Sequence, residues 1–128
     1  MELPTNPEYV AVARLTVSAI SNMIGFNIED IEDIKIALSE ACSNAIRHSQ
    51  RDLFQLNFEI DTDKLGIEVT DDGVGCVVEH LKEPDLDNPK EGGLGLFIIK
   101  SLMDDVCIES NLDKGTRICM TKFLEEGK

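Results

Sequence analysis

An acidic residue and an amide lie four positions apart in the first half of the chain, as Glu40 and Asn44. They belong to a run with helical apolar spacing, so both side chains project from one helix face. A carboxylate there can act as a general base, and an amide oxygen is a suitable ligand for the hard cation Mg²⁺. An ordinary solvated polar face would present the same pair, so the pair indicates a site only in combination with other motifs.

A carboxylate at the start of a glycine turn follows the second strand-like segment, as Asp71-x-Gly73-x-Gly75. The glycines allow the backbone to turn sharply and to approach a ligand closely. The Asp71 carboxylate can accept a hydrogen bond from an exocyclic amine such as that of adenine. A plain loop has the same composition. A dinucleotide-binding fingerprint is disfavoured, because Val78 stands where glycine or alanine is required.

A third motif is rich in glycine and leads directly into an apolar helix-like run. Its residues are Gly92, Gly93, Leu94, Gly95 and Leu96. Consecutive backbone N–H groups at a helix N-terminus can bind phosphates, and Lys90 can add positive charge near a terminal phosphate. A flexible hinge is the alternative, whereas a Walker-type loop is excluded because no Gly-Lys-Ser or Gly-Lys-Thr follows. In this order, the three motifs predict a magnesium–nucleotide site.

The composition is that of one acidic globular domain. A chain of 128 residues fits a single domain over 1–128, and the segment at about 76–91 has the low periodicity of a loop or lid. The net charge of −13 argues against direct nucleic-acid binding, because phosphate contacts draw on clustered Lys and Arg. The four cysteines have no C-x-x-C spacing, which favours free thiols. Neither a signal peptide nor an apolar run of membrane-spanning length is recognisable, so we expect a cytoplasmic protein without membrane contact.

Hydrophobic periodicity predicts the elements that position these motifs. A first helix opens at Asn6-Pro7 and ends at Gly25, and a second runs from a cap at Asn27 to about His48. The remaining elements are paired strands over 54–60 and 65–69, a third helix over 93–103, and a closing hairpin over 106–108 and 116–120. This order predicts an α/β (α+β) two-layer sandwich, with helices on one face of a largely antiparallel mixed sheet.

The order of the three motifs resembles the N, G1 and G2 boxes of the GHKL ATPase superfamily, which includes histidine-kinase catalytic domains, gyrase-type ATPases and Hsp90. More narrowly, residues 34–45 and 91–96 closely resemble bacterial anti-sigma factors of the RsbW type, which are also serine-protein kinases. Residues 7–16 and 102–104 fit the same subfamily. The resemblance covers nearly the whole chain and implies a Bergerat-type ATP-binding fold.

The resemblance also implies a role for each matching residue. Asn44 would coordinate Mg²⁺, Glu40 would be the catalytic base, and Asp71 would contact adenine. Thr116 matches a family position near the adenine-binding aspartate. The other implied ATP contacts are Gly73 and Gly75 at the adenine pocket, and Gly92, Gly93, Leu94, Gly95 and Leu96 at the phosphates.

Family members use ATP with Mg²⁺, release ADP, dimerise, sequester an alternative sigma factor and phosphorylate a serine of an anti-anti-sigma protein. The resemblance implies the same for this chain, including a homodimer. Arg14 is the candidate for docking a partner, although an exposed arginine over an apolar helix face is the simpler interpretation.

Two other functions remain open at this stage. A nucleotide-dependent partner-binding switch with little phosphotransfer is disfavoured, because a pure binder does not need a base at Glu40. The ATPase module of a histidine-kinase-like protein ranks lower, because no helical hairpin with a phospho-accepting histidine is expected ahead of the first helix.

Overall fold

A computed structural model describes residues 1–71, 93–111 and 115–125. The predicted lid at about 76–91 lies outside these residues. The described elements, in chain order, are β1 (Glu2–Pro4), a 3-10 helix (Pro7–Tyr9), α1 (Val10–Ile24), α2 (Ile28–His48), β2 (Leu53–Ile60), β3 (Lys64–Asp71), α3 (Gly93–Leu102), β4 (Asp105–Asn111) and β5 (Gly115–Phe123).

The first helical segment begins with a 3-10 turn rather than with α-helix. The Asn6 side chain accepts a hydrogen bond from the Glu8 backbone N–H at 3.2 Å, as its capping role requires. The Tyr9 N–H then donates to the Asn6 carbonyl at 3.0 Å, a three-residue spacing that closes a 3-10 turn. The α-helix therefore starts at Val10, later than expected. It ends at Gly25, whose φ of 109° is a left-handed conformation that favours glycine.

The second helix has the ends that the sequence predicts. The Asn27 side chain accepts a hydrogen bond from the Asp30 N–H at 2.8 Å, and Glu29 and Asp30 place negative charge at the positive end of the helix dipole. α2 ends at His48, as expected. Within the described ranges, no helix combines the length and apolarity that crossing a bilayer requires.

The described strands form one five-stranded sheet in the order β1-β2-β3-β5-β4. Every pairing in it is antiparallel. β1 was not predicted: it is three residues long and ends in proline, and it becomes a strand through pairing with β2, where Leu3 lies opposite Phe54. The central strands β2, β3 and β5 and the edge strand β4 agree with the two predicted hairpins.

Buried and more exposed side chains alternate along β3, so the sheet has one face in the core and one face toward the opposite side. Leu65, Ile67 and Val69 are buried and belong to one apolar cluster with residues of all three α-helices. The alternate positions Glu68 and Thr70 lie on the opposite side. We call this side the open face; it also carries the register partners of these two residues, which are Asn57, Cys119, Gln55 and Arg117. The predicted two-layer α+β sandwich is confirmed.

The C-terminal end of α3 is attached to β5. The Lys122 ammonium donates to the Leu102 carbonyl at 2.7 Å, at the negative end of the helix dipole. Asp104, just beyond the helix, donates its N–H to the Thr121 carbonyl at 3.0 Å and accepts the Phe123 N–H on its carboxylate at 2.7 Å. Three hydrogen bonds therefore join the end of α3 to one stretch of β5.

Candidate functional site

Polar side chains in the core are few, and the predicted site residues account for most of them. In the described part of the chain, the buried polar residues are Ser21, Asn44, Asp71 and Thr116. Burying a polar group costs free energy unless it is hydrogen-bonded. Three of these four residues, Asn44, Asp71 and Thr116, were predicted to bind ATP or metal. The buried polar groups of the core are therefore mostly those of the predicted site.

Asp71 and Thr116 face each other across the sheet. Asp71 is the last residue of β3, and its register partner on β5 is Thr116. Thr116 is in turn opposite Ser110 on β4, with 3.0 Å between the two hydroxyl oxygens. A carboxylate and two hydroxyls therefore form one row at the end of three neighbouring strands. Sequence analysis missed Ser110; the pairing of the closing hairpin was the signal that could have found it.

The polar side of α2 holds the other predicted pair. Asn44 is only 7% exposed, whereas Glu40 is half-buried one turn earlier. The Arg47 guanidinium donates to the Asn44 side-chain oxygen at 3.4 Å, which is a long and therefore weak hydrogen bond. An amide oxygen has two acceptor positions, so it can keep this contact and still face a cation. α2 packs on β3, β5 and α3, and is thus the element common to all parts of the site.

The first turn of α3 comes into direct contact with Glu40. A Cβ built on Gly95 would lie 3.0 Å from Oε2 of Glu40, closer than nearly all real Cβ contacts. Glycine at this position leaves room for the Glu40 carboxylate beside α3, whereas a larger residue would require that side chain to shift. Leu96 is buried in the core and Leu94 is half-buried, which anchors the turn. The carboxylate therefore lies beside the N-terminal end of α3, and a helix N-terminus attracts anions through its dipole and its first N–H groups.

These groups fit a magnesium–nucleotide ligand better than a preformed metal cage. The described residues contain no group of three or more His, Cys, Asp or Glu side chains that could hold a metal ion. Mg²⁺ commonly binds through one or two protein oxygens and completes its shell with phosphate and water, and the Asn44 oxygen suits that role. The N–H groups of the first turn of α3 suit the phosphates.

The remaining predicted residues fall into two groups. Gly93 opens α3, and Arg14 is exposed on α1, a different element from the site. Four residues that were predicted to bind ATP lie outside the described residues, and their predicted roles stay predictions; they are Gly73, Gly75, Lys90 and Gly92.

Comparison with known proteins agrees with this arrangement. The sequence profile of the histidine kinase-like ATPase domain family matches residues 3–122. The serine-protein kinase RsbW of Oceanobacillus iheyensis is 41% identical, over 98% of this chain and 86% of the relative. The protein of the same name from Halalkalibacterium halodurans is 42% identical, over 98% of this chain and 82% of the relative.

A solved structure has the same fold. It is the histidine kinase domain of the Erythrobacter litoralis EL346 blue-light activated histidine kinase, with a TM-score of 0.59 and 23% sequence identity. The match covers 95% of this chain but 62% of that one, so this chain spans less than two thirds of its structural neighbour. With the family profile and two relatives at about 40% identity along nearly its full length, the chain belongs to the histidine kinase-like ATPase domain family and, within it, to the serine-protein kinases of the RsbW type.

Proposed function

We propose that this protein uses Mg-ATP to phosphorylate a serine of an anti-anti-sigma protein, and that it sequesters an alternative sigma factor when that protein is not bound. The close approach of Gly95 to Glu40 carries the proposal, since it places a carboxylate beside a phosphate-binding helix end. The serine-protein kinase activity named for its relatives supports the same reaction.

In this proposal each residue contacts the part of the nucleotide that its position in the fold allows. Asp71 accepts a hydrogen bond from the adenine amine, and Thr116 and Ser110 form the adjoining polar wall. Backbone N–H groups of the first turn of α3, beginning at Gly93, bind the phosphates. Lys90, Gly73, Gly75 and Gly92 complete the nucleotide pocket.

Glu40 is the proposed general base. It accepts the proton of the acceptor serine hydroxyl as the oxygen attacks the terminal phosphate, and ADP is the leaving product. Asn44 holds Mg²⁺, which when bound offsets the negative charge of the phosphate oxygens. Leu96, buried behind the first turn of α3, keeps that turn in place and limits water access on the core side.

The proposed docking surface lies on α1 and the start of α2. Leu15 and Ile28 are 74% and 79% exposed and line a groove of about 440 Å³ between the two helices. Arg14 is exposed immediately before Leu15. We propose that this surface, with Arg14, binds the sigma factor, because a large exposed apolar patch commonly marks a protein interface. A homodimer and a cytoplasmic location, where sigma factors act, belong to the same proposal.

Glu40→Gln is expected to keep ATP affinity and to lower phosphotransfer by about 10²–10⁴-fold, the usual contribution of a general base. The measurement is transfer of radiolabelled phosphate to the anti-anti-sigma protein of the same bacterium, with ATP binding followed by calorimetry. Glu32→Gln is the matched control, because Glu32 is exposed on the same helix and pairs only with Lys35 among the described contacts. Unchanged transfer in Glu40→Gln would exclude Glu40 as the base.

Gly95→Ala tests the contact between α3 and Glu40. Alanine is a better helix former than glycine by up to about 1 kcal/mol, so stability to urea is expected to be kept. The new Cβ requires the Glu40 carboxylate to shift by a few tenths of an ångström, so phosphotransfer is expected to fall by up to about 100-fold, the loss that a full 1 Å misplacement can cause.

Gly66→Ala is the control for that substitution. Its Cβ would lie 3.3 Å from Cβ of Glu59, away from α2 and α3, so a stability change without a large loss of phosphotransfer is expected. Equal phosphotransfer in Gly95→Ala and the wild type would contradict the proposed geometry.

Asp71→Asn is expected to weaken ATP binding by about tenfold or more, because the amide can present an N–H to the adenine amine where the carboxylate accepts its hydrogen bond. Isothermal titration with ATP and with GTP measures the loss and its dependence on the base. Asp63→Asn in the exposed turn before β3 is the control. Wild-type affinity in Asp71→Asn would remove Asp71 from the pocket.

Arg14→Glu is expected to weaken binding of the sigma factor of the same bacterium at least about tenfold, as reversal of an interface charge can do. Interferometry with the two purified proteins measures the affinity, and ATP binding should stay at the wild-type level. Lys100→Glu introduces the same charge change at an exposed position of α3. If both variants lose affinity equally, net charge rather than Arg14 governs the interaction.

A further inference from the structure

Two cysteines face each other on the open face of the sheet. Cys107 on β4 is the direct register partner of Cys119 on β5. Cys119 is in turn opposite Glu68 on β3, and Glu68 is opposite Asn57 on β2. These four residues therefore form a row across the side of the sheet away from the helices, and the two thiols occupy the β5 and β4 positions at one end of that row.

The spacing of this pair suits a disulfide. Directly opposed residues of an antiparallel ladder have their Cα atoms about 4.5–5.5 Å apart. Disulfide-bonded cysteines have Cα separations of about 4.4–6.8 Å, so the β4–β5 register already holds the two residues within bonding range. The structure shows both residues as free cysteines.

The two thiols differ in access and environment. Cys107 is exposed, whereas Cys119 is half-buried. Partial burial raises the pKa of Cys119, the nearby Glu68 and Glu109 carboxylates add to this effect, and the Arg117 guanidinium opposes it. At neutral pH Cys119 is therefore predominantly a thiol, and Cys107 is the sulfur that a dissolved oxidant reaches first.

An ion pair organises the side chains around Cys119. Arg117 Nη2 lies 2.6 Å from Oε2 of Glu68, and its Nη1 lies 3.5 Å from Oε1 of Glu109. Although partial burial acts to raise the pKa of the Glu68 carboxyl, hydrogen bonds from Asn57 and Arg117 and the charge of Arg117 lower it overall. Glu68 is thus an anion, and its Oε2 lies 4.0 Å from the Cys119 sulfur, which can donate a weak hydrogen bond to it.

Two other interpretations of the cysteines are less favourable. A metal site would need further ligands, and the described residues contain no group of three or more metal-binding side chains. A purely structural thiol is exemplified by Cys42, which is fully buried in α2 and whose pKa is raised to about 12 by burial. Cys107 and Cys119 have neither the burial nor the isolation of Cys42.

We propose that Cys107 and Cys119 are a modification site, at which hydroperoxides form a reversible disulfide between β4 and β5. The Cys107 sulfur attacks one peroxide oxygen and becomes a sulfenic acid, releasing water when the oxidant is hydrogen peroxide. The Cys119 sulfur then displaces the hydroxyl from Cys107, and a second water leaves. Two thiols lose two electrons and two protons; one hydrogen peroxide becomes two waters, and an organic hydroperoxide becomes one alcohol and one water. This inference is independent of the proposed kinase activity.

Hydrogen peroxide treatment of the full chain, followed by intact-mass and peptide mass spectrometry without reductant, tests the proposal. The expected result is a monomer lighter by about 2 Da, the mass of two hydrogen atoms, with two of the four cysteine thiols lost and dithiothreitol restoring them. Trypsin cuts after Lys100, Lys114, Arg117 and Lys122, so the expected bridge joins the peptides 101–114 and 118–122.

Single serine variants identify the reacting pair. Cys107→Ser and Cys119→Ser should each prevent formation of this bridge, whereas Cys42→Ser and Cys76→Ser should leave it unchanged. A bridge that involves Cys76, a disulfide-linked dimer, or sulfinic acid at Cys107 without a bridge would overturn the proposal. So would full retention of both thiols at peroxide levels that oxidise free cysteine.

Discussion

The buried polar residues Asn44, Asp71 and Thr116 set the main constraint on this structure. A buried polar group without a partner costs roughly 1–3 kcal/mol, so each needs neighbours placed to hydrogen-bond distance. The β3–β5 register places Thr116 opposite Asp71, and the helical spacing of α2 places Arg47 beside Asn44. Apolar parts of the core tolerate repacking, but these polar residues require one register between β3 and β5 and one arrangement of side chains on the polar side of α2.

The acidity of the chain shapes how it can hold an anion. With a net charge of −13, long-range electrostatics repel a nucleotide rather than attract it. Local sources must overcome that repulsion, and the first turn of α3 is such a source because its dipole and free N–H groups act at short range. The Glu40 carboxylate lies beside this same turn and adds negative charge there, so the local field of α3 must offset Glu40 as well as the net charge of the chain.

Elements that depend on local interactions were predicted from the sequence, whereas elements that depend on residues distant in the chain were not. Both ends of α2 were predicted, because Asn27 and the helical periodicity are local signals. β1 was not, since three residues ending in proline have no strand pattern and form a strand by pairing with β2, about fifty residues away in the chain. The 3-10 turn before Val10 was mistaken for α-helix because both share the same capping residue.

The residues of the candidate site also fall into those that local sequence patterns predict and those that depend on tertiary contacts. The spacing of Glu40 and Asn44 followed from helix geometry, and Asp71 from the glycine turn after a strand. The contact of Gly95 with Glu40 depends on how α3 packs against α2, which no local pattern encodes. Ser110 likewise was assigned to the site only from the β4–β5 register, because a serine in a strand has no distinguishing sequence signal by itself.

The attachment of α3 to β5 has a mechanical consequence. Lys122 and Asp104 hold the C-terminal end of the helix, and buried Leu96 holds its first turn against the core, so α3 is attached at both ends. The strand that holds the end of α3 also carries Thr116. β5 therefore connects the polar row of Asp71, Thr116 and Ser110 to the helix whose first turn lies beside Glu40, so a change in the position of this one strand would act on both parts of the proposed site.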